Sequence, residues 1–289
     1  VTSAAIPVSI ASPSSVGHII NLSARAVAGA GSKTLIVGFI VGNGIGTKPV
    51  LVRGIGPSLG PRGVSNYLDD PALKVFSGST QIASNDDWGT DANVPTASSL
   101  VGAVGLTSSK DSALVLTTST GGYTAQVTAG ANSTNPSGVA LAEFYDASPT
   151  YTSNTPTLIN ISARAQVGTG SQVLIVGFII GGTTPVKVLI RGLGPELTNQ
   201  AVTGVIADPT LRLVNQADGS TIQTNDNWGD APNLSDIQAA STQVGAIALT
   251  PGSKDAVILT TLAPGGYTAV LSGVNGATGV GLAELFQVF

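Results

Sequence analysis

From Gly121 to Thr128 the chain alternates: Tyr123, Ala125 and Val127 fall on one face of an extended strand, and Thr124, Gln126 and Thr128 on the other. Short apolar runs of the same kind recur at Ile19–Val27, Thr34–Val41, Val50–Arg53, Leu73–Ser77, Thr80–Ser84, Ala113–Thr118 and Val139–Tyr145, bounded by Gly, Pro, Asn and Asp. Only Thr96–Val101 and Ser235–Val244 read as short helices. Many short strands between turn signals predict an all-β chain of the jelly-roll-like β-sandwich kind and argue against a βαβ design.

The pattern is written twice. "NLSARAVAGAGSKTLIVGF" (Asn21 to Phe39) returns as "NISARAQVGTGSQVLIVGF" (Asn160 to Phe178), and "DPALKV", "SNDDWG", "SKD", "GGYTA" and "GVALAEF" all have later counterparts. The expected organisation is therefore two tandem homologous β-sandwich domains. Residues 1–18 form an N-terminal extension, 19–146 the first module, 147–157 a linker and 158–289 the second module. Within the extension, Ala4, Ile6, Val8 and Ile10 alternate with Ser3, Ala5, Pro7, Ser9 and Ala11, which is the pattern of a strand with one apolar face.

Composition limits the chemistry. There is no Cys, so neither a disulfide nor a thiolate metal site is available. Lys and Arg are few and scattered in a chain of net charge −4, which excludes the basic stripe that nucleic acid requires. No apolar run approaches the ~18 residues of a membrane helix. Val1-Thr2-Ser3-Ala4-Ala5, with no Met anywhere in the chain, reads as a mature N-terminus left by a signal peptidase, so an extracellular or cell-surface location is expected. A chain with only 10% charged residues and 37 Gly presents an unusually uncharged surface, which favours self-association.

Arg-Gly-x-Gly-Pro occurs at Arg53 and again at Arg191. A phosphate-binding glycine loop leads into a helix, whereas here Pro57 and Pro61 follow the first copy, so the motif reads as a structural corner. The charges that recur in both copies include Arg25/Arg164, Arg53/Arg191, Asp70/Asp208, Asp111/Asp255 and Glu143/Glu284. In so uncharged a chain they read as the module's internal ion-pair network. Glu143, inside an apolar strand, is expected to pair with Arg53 or Arg25. A covalent Lys–Asn bond at Lys110 or Lys254 is a sharper alternative for those lysines.

"NDDWGTD" and "NDNWGD" supply Asp86, Asp87, Asp91, Asp226 and Asp230 on Gly-containing loops, a candidate Ca²⁺ site, although the spacing is not that of an EF-hand. Asx-turns packed against Trp88 and Trp228 are the plainer reading. His18, the sole His, lies outside both repeats; with no Cys nucleophile and no aromatic cleft beside the paired carboxylates, the sequence favours a non-enzyme without a required cofactor.

The run "LVRGIGPSL…DPAL…NDDW…GGYTAQV…GVALAEFYD" resembles modules repeated in large secreted or surface proteins of bacteria, and its "NDDW…GGYTA" half resembles the pre-peptidase C-terminal β-sandwich. The resemblance implies an extracellular, non-catalytic β module. The expected function is a structural subunit of an extracellular filament or sheath, a homopolymer assembled head-to-tail, with an adhesin or glycan-binding module as the alternative.

Overall fold

The computed structural model describes residues 16–135 and 137–289. The extension residues Ala4, Ile6, Val8 and Ile10 therefore lie outside the described residues. The chain is mostly β. In the first copy the strands are β1 (His18–Gly29), β2 (Leu35–Gly42), β3 (Thr47–Ile55), β4 (Pro71–Ser77), β5 (Thr80–Asn85), β6 (Ser112–Ser119), β7 (Gly121–Ala129) and β8 (Ser137–Asp146). The second copy repeats them as β9 (Thr157–Val167), β10 (Leu174–Gly181), β11 (Val186–Leu193), β12 (Pro209–Asn215), β13 (Thr221–Asn225), β14 (Ala256–Leu262), β15 (Gly265–Gly273) and β16 (Gly279–Val288). Two short helices, α1 (Val94–Leu100) and α2 (Leu234–Gln243), fall where helical periodicity was read.

The pairing joins the copies. β1 and β2 are adjacent in sequence but do not form a hairpin: β1 lies between β8 of its own copy and β10 of the other, and β2 between β7 and β9. Two eight-strand runs result, β6-β3-β8-β1-β10-β15-β12-β13 and β14-β11-β16-β9-β2-β7-β4-β5, and they touch where Ile19 pairs with Leu158. These two residues hold equivalent positions in the repeat, so a pseudo-two-fold passes between them. The registers obey it: Leu22 faces Phe178 as Ile161 faces Phe39, and Ala24 faces Val176 as Ala163 faces Val37. The linker expected between modules is thus not their only connection.

The strand sequences fit this arrangement. The inward rows of β1 and β9 are small, with Ala24, Ala26 and Ala28 in one and Ala163 and Ala165 in the other, while β2 and β10 present Leu35, Val37, Phe39 and Leu174, Val176, Phe178. Small residues beside large ones let the layers interdigitate. Phe39 reaches across the layers to Phe144, with ring centroids 4.7 Å apart, and stacks on Tyr123 at 5.3 Å. All these residues belong to one apolar core that runs through both copies. Each buried Phe contributes roughly 1.5–3 kcal/mol. Smaller clusters form where α1 covers Leu51, Ala113 and Tyr145 and where α2 covers Leu189, Val257 and Phe286.

A chain held by this seam should survive loss of its covalent linker. With a protease site placed at exposed Ser153 and cut, the halves are expected to elute as one species under native conditions and to separate only in denaturant. Two separate folded species without denaturant would contradict the seam.

Candidate functional site

The Arg-Gly-x-Gly-Pro turns organise the polar chemistry of each copy. β3 ends at Ile55, and the chain then turns through Gly56 into a single 3-10 segment, Pro57–Arg62. The backbone N–H groups of Gly56 and Ser58 donate to Oδ1 of Asp111 at 2.8 and 3.3 Å, and the Ser58 hydroxyl donates to Oδ2. In the second copy Gly194 N–H and Glu196 N–H donate to Asp255 Oδ1 at 2.8 and 3.3 Å. Both aspartates are fully buried. The turn does bind an anion, and the anion is the chain's own carboxylate from the "SKD" motif. Reading the motif as a corner with no helical segment after it missed this: a short 3-10 segment follows, and its amides are occupied.

The glycine is required by close approach. A Cβ at Gly56 would lie 1.9 Å from the carbonyl oxygen of Leu68, and one at Gly194 2.0 Å from that of Ile206. No side chain fits either position.

The arginine that opens the motif works on the other face of the sheet. Register sets Arg53 opposite Glu143 and Arg191 opposite Glu284. Arg53 Nε donates to Glu143 Oε2 at 2.8 Å and its Nη1 to the carbonyl of Val104 at 2.7 Å; Arg191 does the same with Glu284 at 3.0 Å and Ile247 at 2.6 Å. Each guanidinium thus ties a central strand to the loop after the helix. Burial disfavours the charged form of Arg53, but Glu143 foremost and Tyr145 after it outweigh that cost, so its pKa lies above the ordinary arginine value. Arg25 and Arg164, expected in the same network, make no salt bridge among the described residues. The register explains why: Arg25 faces Leu141 and Ile175, while Glu143 faces Ser23 across that pair of strands. Arg164 likewise faces Leu282 and Ile36, and Glu284 accepts from Ser162 instead.

The asparagine loops clamp onto these turns. Trp88 N–H and Trp228 N–H donate to the carbonyls of Asp111 and Asp255, and the indole nitrogens to Ser108 O and Ser253 Oγ. Trp228 is buried, and both rings pack with the clusters beneath the helices. Asn85 Oδ1 accepts from Ala113 N–H and Asn225 Oδ1 from Val257 N–H. Of the candidate metal ligands, Asp91 has both oxygens occupied, by the amides of Asn93 and Val115. Asp87, Asp226 and Asp230 are exposed. Among the described residues no three His, Cys, Asp or Glu side chains are grouped to hold a metal. Asp86 lines a shallow cleft of about 410 Å³ with Lys74, Ser84, Asn85, Asp87 and Thr90. Burial, then the neighbouring Asp70 and Asp87, push its pKa up. Lys110 is exposed, and Lys254 pairs with Asp208 rather than with an Asn.

No family model matches the chain, and no curated protein does. Among solved structures, "a putative secreted protein" from Eubacterium rectale aligns over 92% of this chain and 68% of that one at 8% identity with a TM-score of 0.20. The VP2 subviral particle of infectious bursal disease virus aligns over 99% and 75% at 12% identity with a TM-score of 0.16. Scores this low do not define a shared fold. No helix among the described residues is long and apolar enough to cross a membrane.

The recurring charges place Asp111 and Asp255 in the internal network, but as ion-pair members rather than as acceptors of the turn amides. The acceptor role of Asp111 and Asp255 was legible only as a recurrence of "SKD" beside the glycine turn. A fully buried Lys48–Asp146 pair was passed over because neither charge recurs in the second copy.

Removing the carboxylate leaves the turn amides buried and unpaired, so Asp255→Ala should cost about 3 kcal/mol or more, and Gly194→Ala a comparable amount. Gly229→Ala, where nothing lies within 4 Å of the added Cβ, should be near neutral. Urea unfolding measures all three; equal stability across the set would remove the clasp from the account.

Proposed function

We propose that the chain is a structural subunit of an extracellular filament or sheath, joined head-to-tail by the N-terminal segment of one copy adding as a strand to an open sheet edge of the next. The observation that carries this reading is the state of the outermost strands. β5 and β13 each pair on one side only among the described residues, their side chains are mostly exposed, and Ile82 and Ile222 stand out as large apolar residues in solvent. Open edges with apolar side chains take up strands. The alternating face of Ala4, Ile6, Val8 and Ile10 is a matching donor, and Pro7, lacking an N–H, suits an edge position. A contact between unlike surfaces that does not close on itself propagates as a filament. The resemblance to modules of secreted bacterial proteins, and within it to the pre-peptidase C-terminal β-sandwich, supports an extracellular setting.

A second reading, a glycan-binding or adhesive module that uses Ca²⁺, draws on the cleft beside Asn85, Asp86 and Asp87. The Trp88 indole, committed to Ser108, is not part of that cleft.

Electron microscopy separates the readings. The full chain is expected to form filaments, and deletion of Val1 to Pro13 to abolish them with circular dichroism unchanged. Normal filaments from the truncated chain would overturn donor-strand assembly. Dispersed particles from the full chain that bind glycan arrays only with Ca²⁺ would favour the second reading.

A further inference from the structure

We propose that Lys48 and Asp146 are the two ends of an intramolecular amide cross-link, which the folded chain forms between the Lys48 Nζ and the Asp146 side-chain carboxyl with loss of one water.

Register fixes the meeting. β3 and β8 pair antiparallel with Val50 opposite Asp146, and Ala147 N–H donates to Pro49 O at 3.0 Å. Lys48 shares the inward face of Val50 and Val52, and Asp146 that of Phe144, so both charges enter the end of the apolar core. The Lys48 Nζ and Asp146 Oδ2 are in direct contact, and both side chains are 0% exposed. Residues just beyond β8 close the site. Ser148 Oγ accepts from Lys48 Nζ at 2.8 Å, Ser148 N–H donates to Asp146 Oδ1 at 3.0 Å, and the Tyr151 hydroxyl bonds to Asp146. The His18 ring packs on Tyr151 with centroids 4.6 Å apart.

The second copy shows that the fold does not need this pair. Where Lys48 stands the repeat has Val186, packed in the core, and where Asp146 stands it has Gln287. A buried ion pair is no more stabilising than apolar residues of similar volume, so its presence in one copy only points to chemistry rather than packing.

The environment favours the reaction. Burial lowers the Lys48 pKa, with Asp146 opposing, and burial together with Asp146 raises that of Tyr151, so the hydroxyl stays protonated beside the carboxyl. A proton passes from the ammonium to the carboxylate, leaving a neutral amine and a carboxylic acid. The Nζ lone pair then forms the N–Cγ bond. One carboxyl oxygen departs as water, carrying its own proton and one from the nitrogen, with the Tyr151 hydroxyl donating to the departing oxygen and regaining the proton from nitrogen. No oxidant or cofactor is needed. A surface cavity of about 250 Å³ lined by Thr47, Pro49, Ser148 and Thr152 adjoins the pair and gives the water a way out.

Intact mass spectrometry of the full chain under denaturing conditions tests this. The expected mass is ~18 Da below that of the sequence, and a tryptic digest should contain Thr34–Arg53 joined to Asp111–Arg164. Lys48→Met should restore the full sequence mass, and freshly purified Tyr151→Phe should retain a fraction at full sequence mass that loses water at least tenfold more slowly than the newly synthesised wild-type chain. A wild-type chain at full sequence mass, with both tryptic peptides unlinked, would overturn the proposal. So would a water loss that persists in Lys48→Met.

Discussion

A β-strand leaves a row of N–H and C=O groups on each side, and each row must find a partner or face solvent. In this protein the rows of β1, β2, β9 and β10 find theirs across the boundary between the two sequence repeats, and the rest of the structure follows from that exchange. Because β1 bonds to β10 and β9 to β2, each sheet runs through both copies and a single core fills the space between them. Neither copy can separate without exposing two strand edges and the apolar rows that carry Phe39 and Phe178. The repeat is a unit of sequence; the two layers are the units of structure.

The outer parts of each copy hang on buried charges satisfied within the chain. Asp111 and Asp255 draw the glycine turn and the tryptophan loop together, and Arg53 and Arg191 fasten the segment after each helix to the central strands. A carboxylate or guanidinium is tolerable in such surroundings because nearly every polar atom has a partner and the geometry allows no substitute. Gly56 and Gly194 show how tight the constraint is: a methyl group would overlap a carbonyl. The glycine turn, which most resembled an anion site, is occupied in both copies by the protein's own carboxylate.

Short apolar runs bounded by turn residues marked all eight strands of the first copy, because that signal is local; clean alternation holds in β2, whereas β3 and β8 are covered on both faces, the outer one by α1. The pairing of Glu143 with an arginine was legible from the cost of burying a lone carboxylate, but the choice of Arg53 over Arg25 depends on register, which the sequence pattern does not specify. Strand exchange was invisible for the same reason. A hairpin and a crossing between layers use the same short Gly-containing connection, here Ala30 to Thr34, and only the partners differ. Weighing repeated charges above unrepeated ones found the clasp residues and hid Lys48 and Asp146, whose significance lies in having no counterpart.

Hydrogen exchange resolved by strand tests the seam most directly, since protection follows the free energy needed to open each segment. If the exchange between copies is the main element of the fold, the amides of β1, β2, β9 and β10 that bond across the boundary should exchange as slowly as those of β3, β8, β11 and β16, and only with global unfolding. Faster exchange confined to the cross-copy amides, with the remaining strands protected, would mean that two independent modules merely touch.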